Sequence, residues 1–323
     1  MSARLATTLC GVSLKNPVLA ASGTYAYGVE LKAVAPLAEL GGIVVKGLSR
    51  EPMDGNPPPR LAETSAGMIN SIGLQNIGVR AFVGDKLGEL RGILAGSGTA
   101  IFANVFGYAV EDYVEVVRVL EDAEGLAGYE LNVSCPNTRH GGIFFSSDPA
   151  LLSEVVAAAR RAIGSKRPLI VKLSPNVSRI EPLAHAAADA GASAISLVNT
   201  FVSLAIDARS RRSRIGAGFG GLSGPAIKPI ALRMVYEAAQ AVTIPVVGLG
   251  GIANGVDAAE FMIAGASAVE VGTANFWDPQ APVRVARELD QFLEEQRISH
   301  VADLVGTLQF ESKSIPSGKL TKQ

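Results

Sequence analysis

Eight short apolar runs recur along the chain, and this rhythm constrains its fold more than any other feature. The runs are Pro17–Ala21, Gly42–Gly47, Ala100–Phe106, Tyr129–Val133, Leu169–Leu173, Ala194–Asn199, Pro245–Leu249 and Ala268–Gly272. Most are continuously apolar instead of alternating, the pattern of parallel strands covered on both faces. Helical patterns lie between most of them. Asp148-Pro149 reads as an N-cap followed by proline in the first turn, and Leu152, Val155, Val156, Ala159 and Ile163 then share one face. Pro225 opens a second helix with Ile227, Ile230, Ala231, Met234, Val235 and Ala238 on one side, and Pro282 a third with Val285, Ala286 and Leu289. Eight β-then-α units without a long linker predict an α/β fold, a single (β/α)8 TIM barrel over residues 1–310. A doubly wound sheet would satisfy the same strand count, because counting strands does not prove closure. Residues 311–323 are polar and aperiodic and read as a flexible tail.

Two connections are too long for simple loops. Leu48 to Gly78 holds Asn56-Pro57-Pro58-Pro59 and the polar stretch Asn70 to Asn76, and Phe201 to Ser223 holds a basic run and a glycine cluster. Both follow strand C-termini, the face on which barrel enzymes carry their sites. Gly216-Ala217-Gly218-Phe219-Gly220-Gly221 matches a dinucleotide fingerprint, but Arg209 to Arg214 precedes it where that motif needs a strand. It reads as a flexible active-site loop, not a nicotinamide site.

The formal net charge of −1 leaves no footprint for nucleic acid or an anionic membrane, so a small-molecule partner is favoured. The apolar runs are too short to span a bilayer, and Met1 to Gly11 lacks the order of a signal peptide. Two cysteines, Cys10 and Cys135, make no disulfide framework and point to a reducing cytoplasm; they are too few for an iron–sulfur cluster. No group of residues has metal-ligand spacing.

Polar residues gather at the strand ends. Lys46 ends the second run, Lys172 interrupts the fifth, Asn104 sits late in the third, and Asn132 and Asn199 end two more. A lysine facing a dry barrel interior requires a compensating anion, so the two lysines call for negative charge between them. Either lysine alone could instead snorkel outward among the helices, and asparagines at strand ends are often turn residues. Five such residues on one face suit a flat polar ring bearing a carboxylate. Gly250-Gly251 and Gly272-Thr273 close the last two runs, where many barrels bind a phosphate on bare backbone N–H groups. Asn132-Val133-Ser134-Cys135-Pro136-Asn137 presents a thiol just past a strand, a position suited to chemistry. His140, five residues on, could lower its pKa or lie in solvent; His185 and His300 read as structural.

Asn132 to Asn137, the Lys46-Gly47 strand end, Asn70-Ser71-Ile72-Gly73-Leu74, Gly250-Gly251 and Gly272-Thr273 together resemble the dihydroorotate dehydrogenases, FMN-dependent TIM barrels of pyrimidine synthesis. The resemblance covers roughly Leu9 to Gln309. Cysteine at the base position is similar to the class 1 enzymes, and Thr138-Arg139-His140-Gly141-Gly142 looks more like the NAD-linked subtype 1B than the fumarate-linked 1A. It implies that Cys135 removes the C5 proton of (S)-dihydroorotate while hydride passes from C6 to FMN. Lys46, Asn70, Ser71, Ile72, Gly73, Leu74, Asn132, Asn199 and Thr200 would hold the pyrimidine and its carboxylate. Ser22, Lys46, Gly47, Asn104, Asn132, Lys172, Val198, Gly224, Gly250, Gly251, Gly272 and Thr273 would hold FMN, with Lys172 beside the flavin ring. Subtype 1B further implies a homodimer joined in a heterotetramer by a subunit carrying FAD and a [2Fe–2S] cluster. Three other readings remain. They are a dihydropyrimidine dehydrogenase-like flavin barrel, a Schiff-base aldolase using Lys172 or Lys46, and a non-catalytic metabolite-binding barrel.

Overall fold

A computed structural model describes residues 2–133 and 143–310. Eight parallel strands close into a barrel in chain order: β1 (Val18–Ala20), β2 (Gly42–Val44), β3 (Ala100–Val105), β4 (Gly128–Asn132), β5 (Leu169–Lys172), β6 (Ala194–Leu197), β7 (Val246–Leu249) and β8 (Ala266–Val271). Pairing of β8 with β1 closes the ring and rules out the doubly wound alternative. Each strand falls within or beside one of the eight apolar runs. Seven connections or extensions carry a helix: α1 (Leu87–Ile93), α2 (Val110–Glu121), α3 (Pro149–Ala162), α4 (Glu181–Asp189), α5 (Lys228–Ala241), α6 (Gly255–Ile263) and α7 (Ala281–Glu295). Only short 3-10 turns join β1 to β2.

The helix signals act as read. Asp148 accepts hydrogen bonds from the N–H groups of Ala150 and Leu151 at 2.8 and 3.2 Å, and Leu152, Val155, Val156 and Ala159 of α3 are fully buried. Pro225 begins a 3-10 turn that runs into α5. Ile230 is a correction: it is 44% exposed, because it lies at the margin of the stripe formed by Ile227, Ala231, Met234 and Ala238. His185 is exposed on α4, and His300 caps a short turn by accepting from the Ala302 N–H at 3.2 Å. Among the described residues no helix is long and apolar enough to cross a membrane.

Alternation along the strands divides the barrel interior into layers. Leu19, Val44, Phe102, Ile170, Ala194, Val247 and Ala268 form a lower apolar cluster. A hairpin, Thr7–Leu9 with Val12–Leu14, plugs it from below through Leu9 and Leu14. Its turn residues, Cys10 and Gly11, have φ of 50° and 84°, the left-handed pair that a two-residue hairpin needs. Cys10 is therefore at the end of the barrel opposite the strand C-termini; burial pushes its thiol up to about 11. Two residues further along β3, β5, β6 and β8, the inward positions become Asn104, Lys172, Ser196 and Glu270. The polar layer is thus set by period-two geometry directly above the apolar one.

Both long connections contribute to one sheet. Phe201–Ser203, Gly220–Ser223, Gly67–Asn70 and Leu61–Thr64 form four antiparallel strands in that order. This revises the glycine cluster, since Gly220 and Gly221 are paired strand residues and not a loop. A Cβ on Gly221 would fall 2.0 Å from Thr200 Oγ1, so close strand contact is the reason for glycine there.

Candidate active site

A cavity of about 430 Å3 opens at the C-terminal mouth of the barrel, with the four-stranded sheet along one side. That volume is in the range of small-molecule and cofactor sites. Every strand end contributes to its wall: Ser22 after β1, Lys46-Gly47 after β2, Asn104 on β3, Asn132 on β4 and Lys172 on β5. Val198, Asn199 and Thr200 follow β6, Gly250-Gly251 follow β7, and Gly272-Thr273 follow β8. The long connections add Asn70, Ile72, Gly73, Leu74 and Gly224. Residues separated by more than 250 positions therefore share one surface because the barrel closes.

One end of the cavity is glycine backbone. Gly224, Gly250 and Gly251 have φ of 97°, 131° and 82°, and a Cβ on Gly251 would lie 2.8 Å from the Gly224 carbonyl oxygen and 2.9 Å from Lys228 Cβ. This cradle accepts no side chain, which leaves backbone to face a ligand.

The deeper wall is polar. Asn199 Nδ2 donates to Asn132 Oδ1 at 3.4 Å, and Asn199 Oδ1 accepts from the Thr200 N–H at 2.9 Å, so these side chains hold each other in place. Ser22 Oγ donates to the Val45 carbonyl at 2.9 Å. Asn104 donates through Nδ2 to Glu130 Oε2 at 2.6 Å, while its buried Oδ1 has no partner among the described residues. An unpaired buried carbonyl oxygen on a cavity wall calls for a donor from whatever occupies the cavity.

The two lysines differ. Lys172 lies inside the barrel with Nζ 3.4 Å from Glu130 Oε2 and 3.4 Å from Glu270 Oε2. Burial alone would lower its pKa, but the two carboxyl groups more than offset this and raise it. The expected negative charge between the lysines is therefore supplied by the protein in the case of Lys172. Glu130 and Glu270 are the partners of Lys172 that sequence reasoning missed. The signal was a single acid within each of two otherwise apolar strands, at the parity of the inward positions. Lys46 is perturbed differently: burial lowers its pKa and the Arg60 guanidinium lowers it further, with no described carboxylate opposing them. A buried cation next to another cation favours an anionic ligand.

Ser71 is the one described site candidate that does not reach the cavity wall. It is buried behind it, where its Oγ accepts from Asn56 Nδ2 at 2.9 Å. Ser223, Gln75, Glu270 and Phe276 line the cavity and were not foreseen. Cys135 and His140 lie outside the described residues.

The family model described as dihydroorotate dehydrogenase matches residues 4–293. The chain belongs to the dihydroorotate dehydrogenase family. The match covers all eight barrel strands and every cavity residue named above. A relative from Solibacter usitatus, named putative dihydroorotate dehydrogenase A (fumarate), is 72% identical over 96% of this chain and 100% of its own length. Relatives from Geobacter metallireducens and Pelobacter propionicus are both named dihydroorotate dehydrogenase B (NAD(+)), catalytic subunit. They are 50% and 48% identical over 94% and 96% of this chain, and over 98% and 100% of their own lengths.

Proposed function

We propose that the chain oxidises (S)-dihydroorotate to orotate in de novo pyrimidine (UMP) biosynthesis, using one bound FMN. The observation that carries this reading is the polarity of the cavity, which has a glycine cradle at one end and a desolvated, uncompensated Lys46 facing its interior. The residues fit FMN. The cradle of Gly224, Gly250, Gly251, Gly272 and Thr273 suits its phosphate, and the unpaired Asn104 Oδ1 suits a ring N–H donor. Ser22, Gly47, Asn132 and Val198 would border the ring, with Lys172 beneath as an ammonium donor. When bound, FMN would accept the hydride that leaves C6 of the substrate.

The protein's own groups would do the rest. Lys46 would hold the substrate carboxylate, with Asn70 to Leu74, Asn132, Asn199 and Thr200 satisfying the amide edges of the ring. Ser71 would act from behind, by fixing Asn56. Cys135 would take the C5 proton, a role that suits a thiol whose reference pKa of ~8.5 is near neutral pH. A dihydropyrimidine lacking the carboxylate would leave Lys46 buried without a counter-charge, which favours dihydroorotate over uracil-type substrates.

Electrons would leave through a partner. The names of the Geobacter and Pelobacter relatives support a catalytic subunit paired with an NAD-reducing one. With only two cysteines this chain cannot bind a [2Fe–2S] cluster, so that cluster and FAD would belong to the other subunit, in a heterotetramer built on a homodimer. The name of the Solibacter relative favours a second reading, in which fumarate is the acceptor.

Anaerobic addition of dihydroorotate to the purified yellow chain tests the proposal. Bleaching of the flavin band supports it, and a yellow protein that bleaches only with another dihydropyrimidine overturns the substrate. Re-oxidation of the bleached chain by fumarate alone would favour the second acceptor. Re-oxidation by NAD+ only when the partner is present would favour the first.

A further inference from the structure

The barrel interior holds one charged cluster with unequal numbers of charges. Lys172 of β5 meets two carboxyl groups, Glu130 of β4 and Glu270 of β8, each 3.4 Å from Nζ, and the three side chains are 6%, 0% and 1% exposed. With both carboxyl groups ionised, the cluster would hold a net negative charge where uncompensated charge is strongly disfavoured.

Hydrogen-bond donors are divided unevenly between the two acids. Glu130 accepts from Asn104 Nδ2 at 2.6 Å, from Ser196 Oγ at 2.8 Å and from Lys172. Glu270 accepts from Lys172 alone among the described residues. Three donors stabilise a carboxylate on Glu130, whereas Glu270 has one and can itself donate to Glu130 once protonated. Burial, and after it the charge of Glu130, push the Glu270 carboxyl well above the usual carboxylate range. The remaining groups around the cluster, Asn104 from β3 and Ser196 from β6, are uncharged. Among the described residues, Lys46 at the end of β2 is the other ionisable side chain on the cavity wall.

We propose that Glu130 and Glu270 hold a single proton between them, resident on Glu270, so that the cavity floor is a neutral cluster and not a net anion. Glu270 lines the cavity, so the charge count bears on any electron acceptor bound there. A net anion beneath the acceptor would oppose the arrival of electrons; a neutral cluster that keeps its ammonium does not. Glu270 is then a positioning residue that acts through Lys172. This consequence rests on the flavin reading, whereas the proton itself does not.

The test is infrared difference spectroscopy of the FMN-loaded chain against E270Q near neutral pH, together with the midpoint potential of the bound flavin. The wild type is expected to show the C=O stretch of an un-ionised carboxylic acid, shifted in D2O and absent from E270Q. The potential is expected to be the same in E270Q, where one neutral donor replaces another, and to rise in the E130Q/E270Q double variant, which leaves Lys172 uncompensated. Absence of the band from the wild type, or a potential already raised in E270Q, would overturn the proposal. If E270Q does not fold, the wild-type spectrum across about pH 5 to 8 decides, since an ordinary carboxyl would be ionised throughout most of that range. A chain that binds no flavin yet shows the band would refute the flavin reading and leave the shared proton standing.

Discussion

Replacing Lys172 by methionine keeps the apolar stem and removes the ammonium that lies 3.4 Å from each of two buried carboxyl groups. Breaking a buried ion pair from one side costs ~3–5 kcal/mol. Asn104 and Ser196 would still donate to Glu130, which places the loss near the lower end of that range. With a urea slope of roughly 3 kcal/mol/M, the unfolding midpoint should fall by about 1 M. The measurement belongs on flavin-free protein, because cofactor binding would add its own linkage. Its pH dependence has a definite sign. In the variant the acid cluster is buried without its cation, which favours a further proton on the folded cluster relative to the unfolded chain. The folded variant then binds the extra proton. Stability returns as pH falls toward the unfolded pKa and is lost as pH rises through the folded one. The raised pKa of Lys172 in the wild type keeps its own contribution complete below the ordinary lysine range, so it does not vary across this window. The deficit should therefore be largest at about pH 8 and shrink toward about pH 5. A deficit under ~1 kcal/mol, or one that is constant with pH, would refute Lys172 as the counter-charge of these acids.

Four further outcomes are expected. Gly251→Ala places a Cβ 2.8 Å from the Gly224 carbonyl at φ of 82° and should weaken FMN binding by about ten-fold, read by quenching of flavin fluorescence. Lys46→Met should weaken orotate binding by about ten-fold or more while FMN remains bound. In the wild type, orotate affinity should decline with rising pH below the ordinary lysine range, because burial and Arg60 hold the Lys46 pKa down; a decline only at the ordinary value would remove Lys46 from the carboxylate site. Cys135→Ala should keep flavin and bind orotate yet lose most turnover, whereas Cys135→Ser should retain weak activity that grows with pH; full turnover in the alanine variant would exclude the thiol as base.

Much of the site was legible because barrel geometry puts strand C-termini on one face. Lys46, Asn104, Asn132, Lys172, Asn199, Gly250-Gly251 and Gly272-Thr273 could be nominated from strand ends alone, and all reach the cavity wall. Ser71 shows the limit of that reasoning. Its neighbours Asn70 and Ile72 line the cavity, but Ser71 turns back to Asn56, a partner that only the folded Leu48–Gly78 connection supplies. The sheet built from both long connections was likewise hidden, because its strands are three or four residues long and one, Gly220–Ser223, is mostly glycine and serine.

The sequence by itself determined the class of architecture. Continuous apolar runs can be buried only if both strand faces are covered, so eight of them spaced by helices require parallel strands layered with helices. The pairing of β8 with β1 then decided for a closed barrel over a doubly wound sheet. The sequence also determined which strand ends are polar. Tertiary structure decided the charge balance within the barrel. Glu130 and Glu270 are 140 residues apart (270 − 130), each a lone acid in an apolar strand, and nothing local relates them to each other or to Lys172. Closure between β8 and β1 brings β4, β5 and β8 around one axis, and burial there makes their charges interdependent. An electrostatic balance depends on distance and dielectric, and both exist only after the chain has folded.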